Sequence, residues 1–392
     1  MNRLLLATAA SALIAGAAAA QDPVNVGIIL GFTGPLESIT PGMAESAEFA
    51  FAEVNEAGVL GAPLNPVRAD STCVDAAAAT AAAERLITAE NVAAILGADC
   101  SGVTIAIANS VAVPNGVVMV SPSATSPALS TIDDNGFFFR VAPSDARQGE
   151  VIADVLKDRG LDNFAITYTN NDYGKGLADS FAAAYTAAGG TVTINAAHED
   201  GKADYTAEVG ALASAGGDIL VVAGYVDQGG SGVVRAALDT GAFSMFEFPD
   251  GMVGSALEEN FGTEIDGSIG QLPGTDSPGN AKFADIVGDK FDATSAYADT
   301  AYDAASLIML AMQAAGSTDP MVYKDKVMDV ANAPGEQIFP GELAKAIEIL
   351  AGGGDIDYVG ASAVELIGAG ESAGSFREIV IEGGKVTTVG YR

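Results

Sequence analysis

Two short apolar runs, Val92–Leu96 and Val117–Val120, are conspicuous in the middle of the chain because they contain almost only apolar residues without alternation. Such runs are typical of parallel strands that are buried on both faces of a sheet. Each run is followed by a turn with small hydroxyl residues, namely Ser101 after the first run and Ser123 and Thr125 after the second. The pattern predicts two neighbouring strands of an open α/β sheet, with hydroxyl groups beyond their carboxyl ends.

The same alternation of apolar strands and amphipathic helices extends over most of the chain and occurs twice, before and after about residue 141. Strands that alternate with helices at this spacing indicate parallel sheets covered on both faces. The predicted fold is therefore α/β, with two doubly wound parallel-sheet lobes. The predicted strands lie at 24–30, 64–69, 92–96, 117–120 and 136–140 and then at 164–169, 191–195, 219–223 and 245–248; the predicted helices lie at 40–57, 75–88, 146–159, 175–188, 204–214 and 230–240.

The last third of the chain does not contain enough strands for a sheet of its own. A Pro/Gly-rich connection at 270–282 leads to predicted helices at about 280–290, 295–315 and 341–351, and residues 375–389 resemble a β-hairpin. We expect these elements to add to the two lobes, so that the chain crosses between them more than once.

The first 20 residues have the composition of a secretory signal peptide. Arg3 provides a positive start, Leu4–Ile14 an apolar run, and Ala18–Ala20 a small-residue cleavage site. The run is too short for a stop-transfer helix, and no later stretch is long and apolar enough to cross a bilayer. The sequence thus predicts an exported protein that is not embedded in a membrane.

The charged and metal-binding residues narrow the range of partners. A net charge of −33 and a pI near 4.1 argue against binding to nucleic acid or to anionic membranes.

The chain has two cysteines, and in an oxidising compartment Cys73 and Cys100 are expected to form a disulfide. One histidine and two cysteines are too few for a convincing zinc site. We therefore expect neither a metal nor a cofactor.

One motif suggests an enzyme, but its context does not fit. Residues 370–374 match the G-x-S-x-G nucleophile elbow around Ser372. That elbow requires a preceding strand, a following helix, and an acid and a histidine further along the chain. The sole histidine, His198, lies far upstream, in what the sequence predicts to be a solvated polar loop. We therefore do not expect hydrolase activity.

The turns beyond the predicted strands are better candidates for a binding site. Free N–H groups at a helix start suit an anion such as a carboxylate, so the turns at Ser101 and Thr125 could form one anion cradle. The alternative is that these hydroxyls only cap their own helices. In the second series, Tyr173, Tyr225 and Asp250 each follow an apolar strand, and a carboxylate with aromatic rings suits an ammonium group.

Taken together, these motifs resemble the periplasmic leucine/isoleucine/valine-binding proteins, the branched-chain amino-acid receptors of ABC importers. The resemblance covers essentially the whole mature chain. It is carried by the order and spacing of Gly31–Pro35, Cys73 with Cys100–Ser101, Ser121–Thr125, Asp172–Gly174, Gly224–Tyr225 and Pro249–Gly251.

The resemblance implies a type I periplasmic binding fold, in which a three-segment hinge joins two lobes that close on the ligand. The hinge segments would lie near Val141, Gln271 and after about Ala361. The N-terminal lobe would comprise residues 22–141 and 272–361, and the C-terminal lobe residues 142–271 and 362–392.

The resemblance also implies roles for individual residues. Ser101, Ala124 and Thr125 would hold the carboxylate of an amino acid, whereas Tyr173, Tyr225 and Asp250 would hold its ammonium group. Phe32 and Tyr297 are further candidates for lining the cleft. The chain departs from the family pattern at Asp250, where glutamate is usual, and at Ile39, where the family has a tyrosine.

The function implied is that of a periplasmic receptor, expected to be a monomer, that delivers an aliphatic or branched amino acid to an inner-membrane permease. One alternative keeps the fold but changes the solute to an amide, urea, an aromatic acid or a polar amino acid. Another is a periplasmic sensor without a role in uptake.

Overall fold

Two seven-stranded sheets form the framework of the chain, in a computed structural model that describes residues 22–55 and 58–392. The predicted signal peptide at residues 1–20 lies outside this described part. Most strand pairs within each sheet are parallel, and helices connect the successive strands. The predicted fold class, two doubly wound α/β lobes, is therefore confirmed.

The first lobe begins with parallel strands in the spatial order β2-β1-β3-β4-β5. The apolar runs without alternation are its central strands, and every residue of β3 and β4 is buried. The elements are β1 (Val24–Leu30), α1 (Thr40–Val54), β2 (Leu64–Asp70), α2 (Ala76–Thr88), β3 (Ala94–Gly97), α3 (Ser101–Ile107, continued by a π-helical turn at Ala108–Ala112), β4 (Val118–Ser121) and β5 (Phe138–Pro143).

The second lobe repeats this order as β7-β6-β8-β9-β10, so the carboxyl ends of equivalent strands carry equivalent turns. The fully apolar strand β8 is buried at every residue. The elements are α4 (Asp145–Asp158), β6 (Asn163–Thr169), α5 (Asp172–Ala187), β7 (Thr191–His198), α6 (Thr206–Ala215), β8 (Ile219–Ala223), α7 (Gly229–Thr240), β9 (Phe246–Pro249), α8 (Ser255–Phe261) and β10 (Ile269–Pro273).

The chain then returns to the first lobe, where a long helix packs along α1. This helix is buried over nearly its whole length because it lies between α1 and the sheet. A small two-stranded sheet was not predicted, since its strands have three residues each and show no clear pattern. The elements are α9 (Pro278–Val287), α10 (Ala298–Ala315), α11 (Pro320–Tyr323), α12 (Val327–Ala331), β11 (Glu336–Ile338), α13 (Leu343–Ala351) and β12 (Ile356–Tyr358).

The predicted lobe boundary after Ala361 is too early. Strands β13 (Leu366–Ile367) and β14 (Glu371–Ser372) extend the first sheet, because β14 pairs with β5. The chain crosses to the second lobe only after Ser372, where β15 (Phe376–Glu382) and β16 (Lys385–Tyr391) form the predicted hairpin beside β10. Two-residue strands carry too little hydrophobic pattern to be recognised from sequence.

Two polar residues lie in surroundings that the sequence did not indicate. His198 is the last residue of β7 rather than part of a solvated loop; it is buried, and its Nδ1 lies 2.8 Å from the Thr167 hydroxyl. Thr40 is the first residue of α1, and its hydroxyl donates to the carbonyl of Gly31 at 2.9 Å. In both cases a tertiary hydrogen bond decides the position of the side chain.

The disulfide between Cys73 and Cys100 is confirmed, and it ties the segment before α2 to the turn before α3.

Ser372 lies within β14 and is followed by β15 rather than by a helix, so it does not occupy a strand-to-helix elbow. Among the helices of residues 22–55 and 58–392, none combines the length and the apolar character that crossing a bilayer requires.

Candidate ligand-binding site between the lobes

The turns beyond the carboxyl ends of the two sheets line a narrow cavity of about 20 Å³ between the lobes. This is the location that open α/β sheets offer to ligands. Of the predicted site residues, Ser101, Thr125, Tyr173, Tyr225, Asp250 and Tyr297 line the cavity; the other residues that line it are Leu36, Ile39, Asp99, Cys100, Ser123 and Gly251.

Two of the predicted residues do not line this cavity. Phe32 is half-buried outside the cavity lining, and the guanidinium of Arg68 is 5.5 Å from the centre of its ring. Ala124 is fully buried, and its N–H donates to the Ser121 hydroxyl at 3.0 Å. Ala124 thus supports the turn from inside the first lobe.

The first-lobe side of the cavity is rich in hydroxyl groups. Ser101 begins α3, and its Oγ accepts a hydrogen bond from the N–H of Ser126 at 3.1 Å. The Ser123 hydroxyl donates to the carbonyl of Asp99 at 3.1 Å. Thr125 is buried, and its hydroxyl makes no well-formed hydrogen bond among the described residues, although it lies close enough to the Asp145 carboxylate to lower the pKa of that group. A buried hydroxyl without a well-formed hydrogen bond is uncommon in proteins, so Thr125 has a donor to offer to a ligand.

Arg140 holds this side of the cavity in place from behind. Its guanidinium is buried and donates to the carbonyls of Ala124 at 3.3 Å and Ser126 at 2.9 Å. The other terminal nitrogen donates to the Ser130 hydroxyl at 2.7 Å and to the Glu371 carboxylate at 2.5 Å. Arg140 therefore fixes the 124–130 turn and connects it to β14 of the first sheet.

The second-lobe side is an acidic group surrounded by tyrosines. The Tyr173 hydroxyl donates to Oδ1 of Asp250 at 2.9 Å and accepts from the N–H of Gly251 at 3.1 Å. The ring of Tyr173 stacks on that of Tyr225 with 5.1 Å between the centroids. A β-carbon on Gly251 would lie 2.8 Å from the Tyr173 hydroxyl, so this contact requires glycine.

Tyr297 completes the group from the first lobe. It lies just before α10 rather than inside it, and its backbone has φ of 62°, which bulky residues rarely adopt. Its hydroxyl donates to Oδ2 of Asp250. Both carboxylate oxygens of Asp250 are thus hydrogen-bonded to tyrosines, one from each lobe.

The electrostatics of the site favour a positive ligand group near Asp250. Burial raises the pKa of Asp250, and hydrogen bonds from Tyr297 and Tyr173 oppose this rise. Burial and the nearby charge of Asp250 raise the pKa of Asp145 well above its usual value, and the same causes act on Glu247. Burial also raises the pKa of all three cavity tyrosines, which therefore remain protonated donors.

Asp145 and Glu247 were not predicted as part of the site. Asp145 begins α4, and its N–H donates to the carbonyl of Thr125 at 2.8 Å, so it connects the two lobes directly behind the cavity. The carboxylate oxygens of both residues lack a hydrogen-bond partner among the described residues.

The lobes touch around the cavity, so the structure is a closed form. The N–H of Ser38 donates to Asp227 at 2.9 Å, and the Ser126 hydroxyl donates to the carbonyl of Asp172 at 3.0 Å. The disulfide lies at the cavity wall. It places both cysteine sulfurs near the Asp99 carboxylate, and because the sulfurs are bonded to each other they are not free thiolates for a metal.

Comparisons with known proteins agree with this geometry. The sequence profile of the family described as periplasmic binding protein matches residues 23–333. The chain belongs to the periplasmic binding protein family. The members of this family are substrate-binding transport proteins, and the resemblance recognised from sequence is confirmed.

Curated relatives match this periplasmic binding protein over most of its length. The Leu/Ile/Val-binding protein homolog 3 of Brucella melitensis is 28% identical over 320 residues, which cover 81% of this chain and 86% of that protein. The chemotactic signal transduction system substrate-binding protein BasB of Halobacterium salinarum is 28% identical over 377 residues, covering 88% of this chain and 83% of BasB.

Solved structures share the fold of this periplasmic binding protein at lower identity. The leucine-binding protein LivK of Thermotoga maritima has a TM-score of 0.80 at 24% identity, covering 94% of this chain and 98% of LivK. LivJ of Streptococcus pneumoniae, solved with isoleucine, has a TM-score of 0.75 at 21% identity, covering 94% and 99%. A solute-binding protein of R. palustris, solved with benzoate, has a TM-score of 0.76 at 18% identity, covering 94% and 96%.

Proposed function

We propose that this protein is an exported receptor that captures an α-amino acid between its lobes and delivers it to an inner-membrane permease. The observation that carries the proposal is the buried carboxylate of Asp250, held by tyrosine hydroxyls of both lobes. It lines the same cavity as the hydroxyl-rich turns of the first lobe. Such a pair of surfaces suits the two charges of an amino-acid head group.

The role of each residue follows from its present partners. Ser101 and the hydroxyl of Thr125 would bind the ligand carboxylate. Asp250 would bind the ammonium by charge pairing, with the stacked rings of Tyr173 and Tyr225 adding cation–π attraction. Ala124 would act through the shape of the turn, because its N–H is already bonded to Ser121. No bond is made or broken in this scheme.

The cavity residues beside the head group indicate which amino-acid side chain the site suits. Leu36 and Ile39 offer apolar contacts, which supports the expected aliphatic or branched side chain. An aromatic acid such as benzoate lacks an ammonium group, so it would bring a second negative charge close to the buried Asp250. Burying an uncompensated charge is costly, which favours an amino acid over an aromatic acid.

A second candidate function is sensing without uptake, with the same ligand and the same closure. It is favoured by the similarity to BasB, whose name places that protein in chemotactic signal transduction. In both cases the closed form would be what a membrane partner recognises, because contacts such as Ser38 to Asp227 exist only when the lobes meet.

Calorimetry on the mature protein tests the proposal, with the standard amino acids, urea, an aliphatic amide and benzoate as ligands. We expect amino acids to bind, and Asp250→Ala to weaken binding by about 2–5 kcal/mol because the ammonium loses its partner in a buried site. Asp289→Asn, at an exposed position, is the control and should bind like the wild type. Tight binding only of ligands without an ammonium group would contradict the proposal.

A further inference from the structure

Gln148 is a buried glutamine that joins the two segments by which the chain enters and leaves the second lobe. It lies in α4, the first helix after β5 of the first lobe, whereas β10 is the last strand before the chain returns to the first lobe. The side chain of Gln148 is fully buried, and its Nε2 donates to the carbonyl of Gln271 in β10 at 2.9 Å. Gln148 does not itself line the cavity between the lobes.

The same amide lies next to the acidic residue of the cavity. Gln271 pairs with Pro249 across the parallel strands β10 and β9, and Asp250 directly follows Pro249. A hydrogen bond to the carbonyl of Gln271 therefore brings the Gln148 amide to the end of β9. Burial raises the pKa of Asp250, and the Gln148 amide opposes this rise, after the two tyrosine hydroxyls. Gln148 thus connects the carboxylate of Asp250 to β10.

The acidic neighbours of Asp250 behind the cavity disfavour its ionised form. Asp145 of α4 and Glu247 of β9 are both buried, and after burial the charge of Asp250 raises the pKa of each. Like charges repel one another, whereas the amide of Gln148 is a neutral donor that favours a carboxylate. The other titratable or charged groups near these acids are Tyr173, Tyr225, Tyr297 and Arg140.

Gln148 differs from Tyr297 in the lobe to which it belongs. Tyr297 reaches Asp250 from the first lobe, so its hydroxyl supports the carboxylate only when the lobes meet. Gln148 belongs to the same lobe as Asp250 and would hold the carboxylate before the lobes close. A binding group that is already fixed in its bound position costs less free energy when the ligand arrives.

Resting on the proposed function, we propose that Gln148 is a positioning residue for ligand binding. Its amide anchors the carboxylate of Asp250 to β10 and thereby determines how tightly the ammonium group of the amino acid is held. Gln148 does not touch the ligand in this scheme. The aliphatic or branched side chain of the ligand is unaffected, because it would contact Leu36 and Ile39.

The test is Gln148→Met, which keeps a side chain of similar length without the two donors. Calorimetry over a pH series uses leucine, or the tightest-binding amino acid of the ligand set above. We expect affinity at pH 7 to fall about tenfold, since a hydrogen bond to a charged group is lost. The loss of affinity on acidification should also begin at a higher pH than in the wild type, because the ionised form of Asp250 loses a donor.

Two further variants accompany Gln148→Met. Gln148→Asn keeps an amide on a shorter side chain, should shift the pH profile less but in the same direction, and serves if Gln148→Met does not fold. The matched control is Gln313→Met, because Gln313 is a buried glutamine of α10 that accepts from the N–H of Leu60 at 2.8 Å and does not line the cavity. This control should keep the affinity and the pH profile of the wild type.

An unchanged affinity of folded Gln148→Met would overturn the inference. So would a weaker affinity with an unchanged pH profile, since that result indicates altered packing rather than a donor lost from Asp250. If the wild type binds and Asp250→Ala weakens binding but Gln148→Met does not, only the role of Gln148 is wrong. If the wild type binds no amino acid, or if Asp250→Ala binds like the wild type, the proposed function is wrong as well.

Discussion

The backbone N–H of Ser38 in the first lobe donates a 2.9 Å hydrogen bond to the carboxylate of Asp227 in the second lobe. The N–H of Asp227 in turn donates to the carbonyl of Pro35 at 3.2 Å. Two turns from opposite lobes, which follow β1 and β8, therefore meet at the rim of the cavity. A contact of this kind stabilises only the closed arrangement, so it contributes to how firmly the lobes hold a ligand.

The first prediction concerns this contact. Asp227→Ala removes the acceptor for Ser38, and since a net hydrogen bond contributes about 1 kcal/mol, we expect ligand affinity to fall roughly fivefold. The affinity is measured by calorimetry. Small-angle scattering of the variant at subsaturating ligand should also show a larger open fraction. Asp289→Ala, at an exposed position, is the control, and equal affinities of Asp227→Ala and the wild type would contradict the role of the contact.

Much of this arrangement could be predicted from sequence because it follows from hydrophobic pattern. The fully apolar runs at Ile219–Ala223 and Val118–Val120 lie in buried parallel strands, and the carboxyl ends of such strands are where ligands bind. That rule predicts that the turns carrying Thr125, Tyr225 and Asp250 lie at the same place. These residues line one cavity, although they are far apart in the sequence.

The rest depends on tertiary contacts that leave no periodic signal. The polar run around His198 resembles a loop, yet β7 extends to that residue because it pairs with β6. The strand at Glu371–Ser372 joins the first sheet through short pairings and the ion pair of Glu371 with Arg140. Asp99 could have been found by the same rule as Ser101, since it too directly follows an apolar strand.

The second prediction is that ligand affinity decreases as the pH is lowered. The decrease should begin at a pH above the ordinary pKa of an aspartate. Burial raises the pKa of Asp250, so its proton returns at a higher pH than the ordinary 3.8. Binding of an ammonium requires the ionised form, so affinity is full above this pKa and is lost as the pH falls through it. Calorimetry over a pH series, with circular dichroism to verify folding, measures the effect.

Asp145→Asn provides the matched variant for this pH series. The charges of Asp145 and Asp250 repel each other, so removing one lowers the pKa of the other. We expect the loss of affinity in Asp145→Asn to move to lower pH. A shift to higher pH, or an affinity independent of pH in the folded wild type, would rule out Asp250 as the ammonium partner.

The third prediction concerns the disulfide. Cys73 and Cys100 are 27 positions apart, and the loop-closure entropy of such a bridge corresponds to roughly 3.5 kcal/mol. The double variant Cys73→Ser, Cys100→Ser should lose about this much free energy of unfolding in urea, and it should bind ligand more weakly because Cys100 lines the cavity. Adding a reductant should lower the free energy of unfolding of the wild type but not of the double variant. If the reductant lowers it in both proteins, its effect does not arise from this disulfide.

The fourth prediction concerns stability at acidic pH and rests on His198. Burial lowers its pKa from 6.5 to about 4, and the charge of Glu208 only partly opposes this. The imidazole lies between the Thr167 hydroxyl and the ring of Tyr205, and its Nε2 has no hydrogen-bond partner among the described residues. The fold therefore accommodates the neutral form, whereas the unfolded chain takes up a proton below about pH 6.5.

A folded pKa below the unfolded one means that the unfolded state binds more protons between these two values, so stability must fall as the pH decreases through this window. Between pH 7 and pH 5 the loss attributable to His198 is roughly 2 kcal/mol. His198→Asn has no titratable group and keeps a polar atom near Thr167, so its free energy of unfolding in urea should fall by about 2 kcal/mol less over the same range. If both proteins lose the same amount, the acid sensitivity arises elsewhere and His198 is protonated in the fold without cost.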